Sequence, residues 1–228
     1  MIKGLTEFEK YKVIRPIIGD CEYDKYGFPV IRRLARDLDY ENLEVRNFKC
    51  MKSLPDNENK LLMMFSYDKD LLRLWNDPLK RIPMMQTYAA VATPDFSIYP
   101  TMNINDIRHN VYMGRWLGRT WQNYGLSVIP TVGWALPDTY DMCFSAIESK
   151  TPVIISTLGC TDYQDDFLRG FNEMKARIEP PIVIVFGNMI PGMTGTFLNF
   201  KYTESFAVEN KQLRIEGIPS MFTIKEAV

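Results

Sequence analysis

A unit that recurs from about residue 60 onward constrains this chain most: a short, wholly apolar run, a capping residue, then apolar residues at helical spacing. Leu61-Leu62-Met63-Met64-Phe65 precedes Asp68, a good helix cap, and a helix carrying Leu71, Leu72 and Trp75. Ala89-Ala90-Val91-Ala92 leads through Thr93-Pro94-Asp95-Phe96-Ser97 to the longest helical segment, Asn105 to Tyr124. Leu126 to Val132 reads as a third strand, followed by Gly133-Trp134 and a helix bearing Tyr140, Cys143, Phe144 and Ile147, capped by Asp138 or Thr139. Pro152 to Thr157 and Ile182 to Phe186 are the fourth and fifth strands. Between them lies a helix capped by Thr161 or Asp162, with Phe167, Phe171, Met174 and Ile178 on one face and Pro180-Pro181 as its stop.

Strands this short and this apolar are buried on both faces, as parallel strands joined by crossover helices are. The expected fold class is therefore α/β, a mainly parallel sheet of repeated strand–helix units, open or barrel-like. Five such units without a dinucleotide fingerprint favour an incomplete barrel. Residues 1–59 lack this regularity and are expected as an irregular N-terminal cap or additional edge on the 60–200 core of a single domain. Tyr23 to Phe28 reads as a turn and Leu54 to Asn59 as an exposed loop. Residues 201–228 form a C-terminal edge segment: Leu198 to Val208 adds a strand, and the alternating tail from Lys211 is a final edge strand broken near Pro219.

In the long helix Ile107, Val111, Gly114, Gly118 and Trp121 make one apolar face. Glycine there costs about 1 kcal/mol relative to alanine, so its presence points to close approach of the helix backbone to the sheet. Arg108, Tyr112, Arg115, Arg119 and Gln122 make the opposite stripe, read as a solvated face, with Arg108, Arg115 and Arg119 as the nucleic-acid candidates.

Composition removes several classes. The 228 residues include 46% hydrophobic ones, ample for a buried core, and a net charge of −1 gives no global case for nucleic-acid binding. Nucleic acid therefore stays open only locally, through the arginines named above or a basic patch of Arg32, Arg33 and Arg36 with Lys49 and Lys52. Cys21, Cys50, Cys143 and Cys160 are dispersed, so neither a zinc site nor a disulfide framework is expected. The first ten residues carry charges where a signal peptide needs an apolar segment, and no run approaches bilayer length; the expectation is a cytoplasmic protein without a membrane span.

In parallel sheets ligands collect where strands end, because loops and helix N-termini converge there. Asp95 is the sharpest candidate, a carboxylate placed as general base, and Ser97, Thr131, Trp134, Thr157 and Asn188 are the ligand-binding candidates at neighbouring strand ends. Asp138, Asp141 and Asp162 are the carboxylates available to assist Asp95, with a divalent metal as the cofactor such a set would take. His109, the single histidine, has no nucleophile motif beside it, and no phosphate-binding loop, nucleophile elbow or H-E-x-x-H is present.

Val91 to Ser97, then Arg115-Trp116-Leu117-Gly118 with Trp121-Gln122, then Val128-Ile129-Pro130-Thr131-Val132-Gly133-Trp134, resemble a bacterial and phage family, the domain of unknown function numbered four-four-one-seven, over roughly residues 60–200. The resemblance brings no activity or site residues. It implies a setting, a phage or mobile-element protein working inside a bacterial host in replication or against host defence. Three readings of function follow: a module binding a small polar ligand, a nucleotide or a host protein at the strand ends; a hydrolase or phosphodiester-acting enzyme using Asp95; and a nucleic-acid-binding protein.

Overall fold

The apolar runs pair side by side in one direction, because strands buried on both faces leave no polar face for solvent. β1 (Glu44–Asn47), β2 (Lys60–Met63), β3 (Ala90–Ala92) and β4 (Val128–Ile129) form a four-stranded parallel sheet in that order. β5 (Val153–Ser156), β6 (Val183–Phe186), β7 (Thr196–Phe200) and β8 (Lys211–Ile215) form a second, parallel through β7 and ending in antiparallel β8. The computed structural model describes residues 6, 14–17, 19–51 and 55–201 and the backbone of 211–215. The expected extension of β7 to Val208, and the break at Pro219, lie outside the described residues.

One parallel bridge, Thr131 to Ile154, joins the two sheets. Its bonds run from Ile154 N to Pro130 O at 2.9 Å and from Val132 N to Ile154 O at 2.8 Å. β1 to β7 therefore all point the same way. The sheet also curls. Phe65, just after β2, lies 5.1 Å from Phe186 at the end of β6, although those strands are not neighbours in the strand order. The architecture is α/β and curled, with no closed barrel among the described residues, since β1 and β8 stand at separate edges.

Alternation along the second sheet sorts its side chains between two cores. Ile154, Ile184, Phe186, Leu198 and Phe200 join the apolar residues of β2 and β3. Val153, Ile155, Val183, Val185 and Phe197 pack instead with Phe167, Phe171 and Met174. Each such fully buried side chain contributes roughly 1.5–3 kcal/mol from water exclusion.

The crossovers are α1 (Asp68–Asn76), α2 (Ile82–Met85), α3 (Ile104–Asn123), α4 (Tyr140–Cys143) and α5 (Gln164–Ile178). α3 starts where Asn103 accepts a bond from Asn105 N at 2.9 Å and stops before Gly125, whose φ of 83° suits glycine. Its expected face, Ile107, Val111, Gly114, Gly118 and Trp121, is buried. Close approach is real at Gly118, where a Cβ would fall 2.7 Å from Ile31 Cδ1 and Thr93 Cγ2; at Gly114 the nearest atom is an ordinary 3.7 Å away.

The opposite stripe of α3 corrects the solvated-face reading. Arg115 and Arg119 are 3% and 4% exposed. Arg115 donates from Nη2 to Cys143 O at 2.7 Å and from Nε to Ser145 O at 3.1 Å, and burial lowers its pKa to about 10. Arg119 donates from Nη2 to Asp20 O at 2.6 Å, Asn123 Nδ2 donates to the same carbonyl at 3.2 Å, and Gln122 Nε2 donates to Arg32 O at 2.7 Å. The physical reason is that backbone carbonyls replace water as acceptors along this stripe, those of Cys143 and Ser145 for Arg115 and those of the N-terminal segment, at Asp20 and Arg32, for Arg119, Asn123 and Gln122. The N-terminal segment also bridges Ile31 to Ile147, turns at Asp24 where Oδ1 accepts from Tyr26 N and Phe28 N, and supplies β1 as an edge. The loop expected from Leu54 to Asn59 turns at 55–59, but Asn57 within it is buried, donating to Thr87 Oγ1 at 3.0 Å; Leu54 lies outside the described residues.

Two substitutions test this packing. A Cβ on Gly170 of α5 would sit 2.1 Å from the Trp134 indole Nε1, so Gly170→Ala is expected to lose about 1–3 kcal/mol by overpacking, outweighing the roughly 1 kcal/mol helix gain of alanine. A chemical-denaturation midpoint that stays put or rises would contradict it. Arg115→Ala strands buried carbonyls and should cost about 3 kcal/mol or more. Arg115→Lys, lacking the fork, should recover only part of that loss, and full recovery in the same assay would show that charge alone suffices.

Candidate functional site at the strand ends

Parallel pairing brings the C-terminal ends of β1 to β7 to one edge, where the loops into α1, α3 and α5 begin. After β3 the chain continues through Thr93 to Ser97 beside the end of β2, and Asp95 N donates to Met64 O at 3.2 Å. Ser97 N donates to Asp68 Oδ1 at 3.1 Å, while Asn110 Nδ2 of α3 donates to Ser97 O at 2.6 Å. Two helices thus hold the Asp95 to Ser97 loop from either side. Asp68 does this in place of capping its own helix: Tyr67 occupies the cap position, and no side chain caps α1 there.

The Asp95 side chain receives no hydrogen bond from the described residues, in contrast to the backbone on both sides of it. Burial, and then the negative charge of Asp68, push its carboxyl from 3.8 up to about 7. A carboxyl there can give or take a proton near neutral pH, which an ordinary aspartate cannot. At the start of α1, Ser66 Oγ lies 3.5 Å from Asp70 Oδ2, and Lys49 pairs with that carboxylate at 2.7 Å.

Of the other expected ligand-binding residues, Thr131 and Thr157 are committed to the backbone. The Thr131 amide donates to Thr93 Oγ1 at 2.8 Å, and its hydroxyl donates to Thr93 O at 2.7 Å. Thr157 Oγ1 donates to Phe186 O at 3.1 Å and presses on Gly187, leaving Asn188 exposed beside it. Phe65, Phe186 and Phe200, in ring contact at 5.1 and 5.5 Å, form an apolar floor linking the β2 end to the β6 and β7 ends. Trp134 belongs to the helical layer: it lies 5.1 Å from Phe167 and 5.7 Å from Phe144 and covers Gly170.

The assisting carboxylates sit elsewhere. Asp141 bonds Lys25, Tyr26 at 2.6 Å and Arg177 at 3.1 Å, and Asp138 and Asp162 are exposed in 3-10 turns. The carboxylate that acts on Asp95 is Asp68. Its position after a strand was visible in the sequence; nothing there marked Asn110, whose role depends on where α3 docks. Among the described residues no group of three or more His, Cys, Asp or Glu gathers as a metal site. No helix among them is long and apolar enough to cross a membrane. Of the three arginines, only Arg108 is exposed, with its guanidinium 5.9 Å from the Tyr26 ring.

Comparison with known proteins places this chain in a family. The model of a family described as "Domain of unknown function (DUF4417)" matches residues 23–203. The Gene 1 protein of Mycobacterium phage D29 is 35% identical over 131 residues, covering 56% of this chain and 48% of its own. The Gene 1 protein of Mycobacterium phage L5 is 36% identical over 118 residues, 50% of this chain and 52% of its own. The chain therefore spans about half the length of these curated relatives. No solved structure matches it. Since the family match takes in β1 to β7 together with Asp68, Asp95, Ser97 and Asn110, the chain belongs to the DUF4417 family, which has relatives among mycobacteriophage proteins.

Proposed function

We propose that the ends of β2 and β3 bind a small polar ligand, with Asp95 as the group that exchanges hydrogen bonds and a proton with it. The supporting observation is a carboxyl without a hydrogen-bond donor, raised to about 7, between loops fixed by Asp68 and Asn110. Half protonated near neutral pH, it donates in one state and accepts in the other, which suits an amide or a nucleobase edge. Phosphate is disfavoured: two like charges 4 Å apart repel by about 4 kcal/mol near a protein surface. A nucleotide would therefore present its base to Asp95, while Ser97, Thr157 and Asn188 line the same edge.

The mycobacteriophage relatives support a setting inside an infected or phage-bearing bacterium, where the ligand is a host metabolite or part of a host protein. A second reading rests on the same group. A carboxyl near 7 is matched to general-base work, so Asp95 would activate water in a hydrolase or phosphodiester-acting enzyme. Nucleic-acid binding through the α3 arginines has less support, because Arg115 and Arg119 are given to carbonyls.

Asp95→Asn tests the reading twice. Because the folded chain holds the Asp95 proton more tightly than the unfolded one, native stability falls as pH rises from about 4 to about 7. The variant removes that loss and is expected to be roughly 1–4 kcal/mol more stable than the parent at pH 8, with the difference vanishing near pH 4. Equal stability at both pH values would contradict the raised carboxyl. In a thermal-shift series, nucleosides should stabilise the parent more than their 5′-phosphates do, and Asp95→Asn should lose the effect. No shift from either set, or the same shift in both proteins, would refute the ligand reading.

A further inference from the structure

The strand-end edge carries more than the Asp95 site. Tyr67, Tyr99 and Leu158, which follow β2, β3 and β5, are 73%, 58% and 49% exposed, and Tyr163, just before α5, is 68% exposed. Ile104, opening α3, is exposed as well. The remaining exposed large apolar side chains among the described residues are Ile14 and Tyr23 in the N-terminal segment, Leu72 on α1 and Leu136 after β4. Single exposed apolar residues are ordinary, but several gathered on one edge mark an interaction surface.

Charge says what that surface accepts. Asp106, Asp162 and Asp165 are exposed on the first turns of α3 and α5 and in the turn before α5, and none has a cationic partner among the described residues. On the basic side, Lys49 is paired with Asp70, leaving Lys69 beside Tyr67. A carboxylate in a first helical turn gains about 0.3–1 kcal/mol from the helix dipole, which accounts for the acids but not for tyrosine and leucine left in water beside them. The Tyr67 ring lies 5.3 Å from the Lys49 ammonium and 5.6 Å from that of Lys69, the geometry in which an aromatic face attracts cations.

We propose that this edge, from Tyr67 and Tyr99 across to Leu158 and Tyr163, docks a basic segment of a protein partner. Lysine and arginine heads would meet Asp106, Asp162 and Asp165 while their aliphatic stems cover the tyrosine and leucine side chains. An acidic edge repels phosphate backbones, which separates this partner from a nucleic acid. The proposal does not depend on Asp95.

The test uses the full chain and a fluorescent synthetic peptide of roughly twelve residues alternating arginine or lysine with leucine. Saturable binding that weakens with salt is expected. It should fall by about tenfold or more in Asp162→Asn/Asp165→Asn, and by a similar factor in Tyr67→Ala/Tyr163→Ala, which is a loss of about 1.4 kcal/mol. These side chains are exposed, so unchanged thermal melts should accompany the lost binding, while Asp95→Asn binds the peptide as the parent does. Absence of binding, or binding undiminished in both double variants, overturns the proposal. Tighter binding of an oligothymidine than of the peptide also overturns it and assigns the edge to nucleic acid.

Discussion

The joint between β4 and β5 is the interaction on which the rest depends. Two backbone bonds at Ile154, with the Thr131 hydroxyl locked to Thr93, turn two four-stranded sheets into one curled surface with seven strands in parallel. A strand as short as β4, two residues long, has little ladder of its own. The Thr93–Thr131 pair supplies side-chain bonds where the ladder runs out, and both residues are buried, so each unmade bond there would cost about 1–3 kcal/mol. Without that continuity the loops after β2, β3, β5 and β6 would not share an edge.

That edge carries an aromatic cluster linking the ends of β2, β6 and β7, and burial is what most perturbs Asp95. Burial strips water from its carboxyl, the negative charge of Asp68 adds to the cost of ionising it, and no donor among the described residues compensates. A protein selected for stability alone gains nothing from such a carboxyl, since an asparagine would fill the space without the electrostatic cost. Perturbed groups of this kind are commoner at sites that act on a ligand than in scaffolding, and the tight hold of Asn110 and Asp68 on the flanking backbone keeps Asp95 in place.

Local pattern made much of this readable from the amino acids. Val153 to Ile155 and Val183 to Phe186 are uninterrupted apolar runs between proline and glycine signals, and α3 announces itself by a long 3.6-residue period. Asp95 was visible because it follows a strand and a proline. Arg115 and Arg119 were misread because periodicity scores any charge as water-facing, whereas the acceptors that bury them belong to Asp20, Cys143 and Ser145, distant in sequence. Trp134 likewise follows a strand yet is drawn into the helical layer by the gap at Gly170. Such pairings depend on docking, and no local window contains them.

The account rests on a carboxyl at the strand ends that keeps its proton to near neutrality. A ¹³C-carboxyl NMR titration of Asp95 in the native chain reads this directly. A midpoint close to 7, moving down when Asp68 is replaced by asparagine, is the result the structure calls for. A midpoint near the ordinary 3.8, indifferent to Asp68, would contradict it.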